Sequence, residues 1–337
     1  MIAMTAVPNR WVRLYPQDTM ANTDAVTVSP DNRGLAYADG FFTTMGVIDG
    51  LILWSDYHYQ RLVSHAAALQ LNIDSESLLV ILPLYAQQLE QGMLKLVVTR
   101  AAQEVRGYGY TPVAGGSDCE VWLKATAMRV STGLQLSLPD GNLVPIQPNA
   151  SAICLSSQIA CLPPPLAGLK SLSRLDNVLA SGELQRIKIE PLASGIASIL
   201  SEGLLRDMSG QWVEGTMSNV FYQLAEAPLS KSETISSAHK GNDQKNNGYE
   251  NRDCEEGESY LTTGQWYTPS MAQSGVAGVM RQVILDALSS TEYPVVIRPL
   301  TDEDLPKLTQ IFFCNALRGI MPMSRLTLLS GEVVGFK

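Results

Sequence analysis

Between residues 227 and 259 the sequence reads APLSKSETISSAHKGNDQKNNGYENRDCEEGES, a run of Ser, Asn, Lys, Glu, Asp and Gly with few side chains able to enter a core. Such a segment buries too little apolar surface to offset the entropy of ordering it, so it is expected to form a mobile surface insertion. Its flanks show what it leaves and rejoins. NVFYQL at Asn219–Leu224 and QWYT at Gln265–Thr268 both read as strands, and the cost of closing a loop between paired strands grows only slowly with its length. The rest of the chain must supply a sheet that carries this excursion, and the chemistry is expected to lie elsewhere.

Enough material remains for that. The chain has 337 residues, 45% hydrophobic and 17% charged, ordinary globular proportions with room for roughly two domains of about 150 residues. Lys and Arg number 24 against 33 Asp and Glu, a net charge of −9. No stripe of clustered basic residues interrupts this acidity, so the electrostatic footprint of a nucleic-acid binder or of a protein docking on anionic membranes is absent. No window holds the roughly 18 uninterrupted apolar residues of a helical membrane span. The opening MIAMTAVPNRW lacks the charged start, apolar core and cleavage site of a secretory leader, and a cytoplasmic location is the expectation. Five cysteines, Cys119, Cys154, Cys161, Cys254 and Cys314, are odd in number, and Cys154 and Cys161 have no histidines at metal-ligand spacing. Buried reduced thiols and no metal site are expected.

The pattern before the insertion is α+β. Phe41–Trp54 reads as a hairpin turning at Asp49–Gly50, a strong turn signal between two apolar runs. A helix follows from Ser55 as N-cap, with apolar Tyr59, Leu62, Val63, Ala66 and Leu69; a second, near residues 75–91, contains Pro83, which should kink or break it. Strands return at Leu94–Thr99 and Glu120–Ala125. These make a small first domain over residues 1–130, and the stretch 131–150, marked by Pro and Gly, reads as the connection. The second domain, 151–337, has strand-like Ala152–Leu155, Ile196–Leu200, Val295–Arg298 and Gln310–Phe313, with helix-period stretches at Leu175–Ile187 and Gly278–Leu288. The fold class expected is α+β in two domains, a small α/β domain plus a larger, mainly antiparallel β domain with outer helices.

Two places carry chemistry on physical grounds. Gly278 opening a helix leaves the amides of Val279 and Met280 without internal partners, which suits an anion, although every helix has such an end. Lys170 lies in AGLKSLSR, an uncharged approach after the rigid Pro163–Pro165. A lysine withdrawn from water loses affinity for its proton, and its neutral amine can condense with an aldehyde. The ordinary alternative is a solvated surface lysine. His58 and His65, on the first-domain helix, have neither a carboxylate partner nor metal spacing and read as packing or solvent-facing residues.

Several strings, in order along the chain, resemble one family. They are Arg33–Thr44 (RGLAYADGFFTT), Tyr59–Leu62 (YQRL), Arg106–Tyr108 (RGY), Leu166–Leu175 (LAGLKSLSRL), Glu214–Phe221 (EGTMSNVF), Gly275–Gln282 (GVAGVMRQ) and Cys314–Leu317 (CNAL) with Met321–Met323 (MPM). Together they are similar to motifs of the fold type IV pyridoxal-phosphate enzymes, the D-amino acid aminotransferase-like group that also includes branched-chain aminotransferases. The resemblance implies pyridoxal 5′-phosphate as cofactor, joined to Lys170 in a cleft between the domains. It implies that Glu214 faces the pyridine nitrogen and keeps it protonated, with Ser218 and Asn219 in support. It also implies that Arg61, the amides of Val279 and Met280, and Asn315 hold the phosphate. By residue type alone Glu214 is a loop carboxylate, Thr216, Ser218 and Asn219 are turn residues, and Arg61 is a solvated helix-face residue whose guanidinium suits bidentate phosphate contact.

Within the family, CNAL followed by MPM, and the RGY string, resemble the branch that eliminates pyruvate from 4-amino-4-deoxychorismate to give 4-aminobenzoate for folate synthesis. This implies that Arg106, Tyr108 and Phe42 lie on the substrate side of the ring, with Arg106 the candidate to bind a carboxylate. Gly109, Ser173 and Gly46 stand where that branch usually has Ser, Asn and Arg, which leaves open a D-amino acid or branched-chain aminotransferase of the same fold. A non-catalytic cofactor-binding protein is a third reading, against which Lys170 and Glu214 stand. The implied partners are a small-molecule substrate and a second copy of the chain in a homodimer.

Overall fold

The computed structural model describes residues 9, 11–16, 27–130, 134–189, 200–225 and 261–336. The first part contains β1 (Trp11–Tyr15), α1 (Arg33–Tyr37), β2 (Gly40–Ile48), β3 (Leu51–Ile52), α2 (Ser55–Ala68), β4 (Leu71–Asn72), α3 (Ser75–Leu89), β5 (Gly92–Arg100) and β6 (Ser117–Ala127). Its sheet runs β1–β6–β5–β2–β3, with β4 added to β6. Every second residue of β5, Leu94, Leu96 and Val98, is fully buried, the period of two that a pleated strand imposes. Leu62, Ala66, Leu78, Leu82 and Ala86 of the two longer helices pack in the same core.

The β2–β3 hairpin turns at Asp49 and Gly50, both at positive φ, as the Asp-Gly pair predicts. Two local expectations need correction. Ser55 is the first helical residue and not the cap; Trp54, at φ 59°, precedes it and makes no side-chain capping bond. Pro83 does not break α3, which continues to Leu89. Pro83 is exposed, while Leu78, Leu82, Ala86 and Leu89 anchor the helix on both sides of it, and burial of that face outweighs the ~3 kcal/mol that an interior proline costs.

The stretch expected as a bare connection carries a small hairpin, β7 (Gln135–Ser137) with β8 (Leu143–Pro145). The second part continues with β9 (Ala150–Ile159), α4 (Leu175–Ile189), β10 (Leu200–Asp207), β11 (Trp212–Gly215), β12 (Asn219–Leu224), β13 (Tyr267–Thr268), α5 (Val279–Leu288), β14 (Val296–Ile297), β15 (Leu308–Asn315), β16 (Gly319–Thr327) and β17 (Val333–Gly335). Its strand order is β11–β10–β9–β16–β15–β12–β13–β14, with β17 on β16. β11 also pairs with β12 through Glu214 and Asn219, so the strands from β11 round to β12 close into a ring at those two residues. Most neighbours are antiparallel, but β9 runs parallel to both β10 and β16, and β13 to β14.

Tyr222 pairs with Tyr267, so the strands flanking the polar segment are joined as expected. Residues 227–259 themselves, residues 131–133 at the expected domain boundary and most of the expected strand Ile196–Leu200 lie outside the described residues; Leu200 opens β10. Cys119, Cys154 and Cys314 are buried, and Cys254 is outside the described residues. Cys161 is exposed, contrary to expectation, because it falls in the loop beyond the end of β9. Among the described residues no helix is long and apolar enough to cross a membrane, and no group of His, Cys, Asp and Glu is arranged to hold a metal.

Candidate active site

The two sheets meet at Lys170. The strip Lys170–Leu172 lies antiparallel to the start of β2: the Phe42 amide donates to the Lys170 carbonyl and the Leu172 amide to the Gly40 carbonyl, each at 3.0 Å, around a Phe41–Ser171 bridge. Gly40 leaves room on both sides of β2, since a Cβ there would lie 2.1 Å from the Val98 carbonyl oxygen of β5 and 3.1 Å from Leu172 Cδ1 of the strip. The Lys170 Nζ sits 4.7 Å above the centre of the Phe42 ring. Burial, then the charge of Arg61, and behind it Arg174 and Lys95, bring the Lys170 pKa down from 10.5 to about 8 against the pull of Glu214. The amine is therefore available in its neutral form near neutral pH.

Glu214 stands where the strand ring closes. Its Oε2 accepts from the Val276 amide at 2.8 Å and its Oε1 from Asn177 Nδ2 at 3.3 Å. Burial raises its pKa, opposed by the Val276 amide, Arg174, Asn177 and Lys170. The segment 275–278 that supplies Val276 is pinned from several sides. Asn219 Nδ2 donates to the Val276 carbonyl at 2.8 Å, the Ala277 amide donates to the Gly168 carbonyl at 2.9 Å, and Arg61 Nη2 donates to the Ala277 carbonyl at 2.5 Å. A Cβ at Gly278 would lie 1.9 Å from Asn219 Oδ1, so a glycine is required for the chain to pass.

Gly278 caps α5 without a side-chain bond, which leaves the first amides of that helix free of a capping group at the point where buried Arg61 crosses. Burial lowers the Arg61 pKa to about 10, still cationic at neutral pH. A guanidinium beside uncapped helical amides is a fitting cradle for a phosphate. Near Glu214, the Arg174 Nε and the Asn177 Oδ1 are buried without a hydrogen-bond partner. Unpaired buried polar atoms are costly, and here they flank an amine, a carboxylate and an anion cradle, the donor and acceptor set that pyridoxal phosphate needs. The residues fit that cofactor.

The other candidates fall into two groups. Ser218 Oγ donates to Glu202 Oε2 at 2.7 Å, and Thr216 Oγ1 to Glu202 Oε1 at 2.5 Å, so the loop after Glu214 is held by a second buried carboxylate. Asn315 accepts from the amides of Leu317 and Arg318, which shapes its own turn, and donates to the Met217 carbonyl, which ties that turn to the loop after Glu214. Arg106 and Tyr108 sit on an exposed loop. Arg33, buried and paired with Asp39 at 2.9 Å, donates to the carbonyls of Gly107, Tyr108 and Gly109 and thereby fixes that loop.

Of the two readings that the sequence left for the histidines, packing is the one found, but the contact of His65 with Lys170 was missed. His58 and His65 are both buried: His58 Nδ1 lies 2.8 Å from Thr43 Oγ1, and His65 Nε2 accepts from the Lys170 amide at 3.0 Å. Burial first, then the charges of Arg61 and Lys170, lowers each pKa to about 3, so both rings are neutral. The available signal was spacing, since residues 58, 61 and 65 follow the i, i+3, i+7 stripe of one helix face.

Residues 40–326 match the family model Amino-transferase class IV. The chain belongs to that family. Class IV aminotransferases are pyridoxal-phosphate enzymes of the two-domain fold type IV, and the cofactor and fold expected from the motifs are those of the family. The chain is 22% identical over 318 residues to an aminodeoxychorismate lyase of Vibrio harveyi, covering 94% of this chain and 91% of the relative. It also superimposes on the crystal structure of 4-amino-4-deoxychorismate lyase from Pseudomonas aeruginosa, with a TM-score of 0.64 and 26% identity over 90% of this chain and 88% of the other. The branched-chain aminotransferase of Thermoproteus uzoniensis shares the fold, with a TM-score of 0.61 and 15% identity over 92% of this chain and 84% of the other.

Proposed function

We propose that this class IV enzyme is an aminodeoxychorismate lyase, releasing 4-aminobenzoate and pyruvate from 4-amino-4-deoxychorismate. The observation that carries the chemistry is the Lys170 amine, brought toward neutrality opposite a buried Glu214. The choice of lyase is supported by the CNAL and MPM strings, by the Arg106 loop, and by similarity to lyases in both sequence and structure. Bound pyridoxal phosphate supplies an electron sink for a carbanion.

The protein's own groups do the rest. Arg61 and the first amides of α5 would hold the phosphate, and Glu214 would keep the pyridine nitrogen protonated. The neutral Lys170 amine would serve as the base that takes the proton from the amine-bearing carbon of the substrate. The carbon–oxygen bond of the enolpyruvyl ether then breaks, pyruvate leaves, and the carbocycle becomes aromatic, a driving force that transamination lacks. Arg106 offers a guanidinium to a substrate carboxylate. We assign the active form to a homodimer in the cytoplasm, its product feeding folate synthesis.

Incubation of cofactor-loaded protein with aminodeoxychorismate and no keto acid is expected to give 4-aminobenzoate and pyruvate in a one-to-one ratio, with Lys170→Ala giving neither. A requirement for a keto acid acceptor, or reaction only with D- or branched-chain amino acids, would replace the lyase with a transaminase.

A further inference from the structure

We propose that His65 is a positioning residue for Lys170: its neutral ring accepts the lysine's own backbone amide and ties the reactive strip to the helix that carries Arg61. This rests on Lys170 being the lysine that takes the cofactor. The strip Lys170–Leu172 uses the Lys170 carbonyl and the Leu172 amide to pair with β2. The Lys170 amide takes no part in that pairing and meets His65 Nε2 at 3.0 Å. A backbone N–H in such a place needs an acceptor, and the one it has comes from 105 residues away.

The same geometry fixes the tautomer. For Nε2 to accept, the ring proton must sit on Nδ1. Nδ1 lies 3.4 Å from Ser64 Oγ, and that hydroxyl donates to the Arg61 carbonyl at 3.2 Å. Donors and acceptors then run in one direction, from the Lys170 amide through His65 and Ser64 to the backbone of Arg61. The Phe41 ring packs edge-on against the imidazole, with centroids 5.4 Å apart, and holds its plane. One turn of α2 separates His65 from Arg61, so the helix sets the spacing between the phosphate cradle and the lysine. A protonated His65 has no acceptor at Nε2 and faces Arg61, Lys170 and Arg174; burial among these cations keeps it neutral.

The test uses the cofactor-free full-length chain. His65→Leu keeps the volume and removes the acceptor, whereas His65→Gln can place its amide oxygen where Nε2 stood. Titration with pyridoxal phosphate is expected to show His65→Leu binding at least tenfold more weakly than the unaltered chain, and His65→Gln within about threefold of it, the scale of one hydrogen bond. The reverse order, with Leu tolerated and Gln damaging, would show a packing role and overturn the proposal, as would two variants that bind alike. Ring nitrogen-15 shifts of the unaltered protein, assigned by the signal lost in His65→Gln, give an independent reading that does not depend on His65→Leu folding. Protonated Nδ1 with bare Nε2 is expected; protonated Nε2 would refute the contact. Borohydride trapping of the bound cofactor, followed by peptide mapping, separates the two claims: a label on another lysine would remove the role of Lys170 itself, whatever the ring nitrogens show.

Discussion

The seam around Lys170 and the loop around Arg106 are built in opposite ways. In the seam each reactive group has assigned partners: Lys170 lies over Phe42, Glu214 accepts from Val276 and Asn177, and Arg61 is buried against Ala277. On the loop the partners belong to the backbone. Arg33 grips three consecutive carbonyls, while the side chain of Tyr108, 84% exposed, rests edge-on against the Tyr37 ring and otherwise faces water. The difference separates two tasks. Charge states that the chemistry needs are set by burial and fixed dipoles, whereas the loop is held by its backbone and leaves its side chains open to solvent. On the proposed function, we assign generic cofactor chemistry to the first region and substrate selection to the second.

That division can be attacked from the seam first. Glu214→Gln removes the carboxylate while keeping its shape, and kcat is expected to fall by about two to three orders of magnitude, the scale of a major electrostatic contribution. A loss under tenfold would mean that the pyridine nitrogen is not controlled by this residue. Lys170 offers a second handle through pH. Only the neutral amine attacks an aldehyde, and the Lys170 pKa is lowered from 10.5 to about 8. Cofactor capture by the cofactor-free chain is therefore expected to rise about tenfold per pH unit below pH 8 and to level off above it. A plateau reached only near pH 10.5 would show an ordinary solvated lysine. The smallest effect is expected on the loop. Arg106→Gln should raise KM for aminodeoxychorismate about tenfold, the value of one exposed charge-assisted bond, and leave kcat within about twofold. An equal fall in kcat would draw the loop into the chemical step and blur the comparison.

Much of the first sheet was legible because its signals are local. Asp49–Gly50 marks a turn whatever surrounds it, and the alternation of Leu94, Leu96 and Val98 announces a half-buried strand. β10 and β16 were not legible. β16 contains Pro322, which argues against a paired strand, yet Pro322 sits opposite Phe312 in the ladder. β10 contains Gly203, which reads as a break, although a Cβ there would lie 2.4 Å from Leu155 Cδ1; the glycine makes room for a side chain from the neighbouring strand. Both are tertiary facts that no window of sequence displays. The site divides similarly. Lys170 and Glu214 stand inside recognisable strings, whereas the contacts of His65 with Lys170 and of Arg33 with the Arg106 loop join residues distant in sequence.

The strip at Lys170–Leu172 belongs to the second half of the chain by order along the sequence but takes its backbone partner from β2 and its side-chain acceptor from α2. The lysine is thus shared property, and neither half carries a finished version of it. Recombining this protein with a relative at the 131–150 junction would exchange one bank of that strip for another, so functional chimeras should be confined to parents that match at Gly40–Phe42 and at residue 65. The constraint acts on inheritance as much as on engineering: the two halves must change in step at such positions, among them Arg61 with Ala277 and Tyr57 with Asp286.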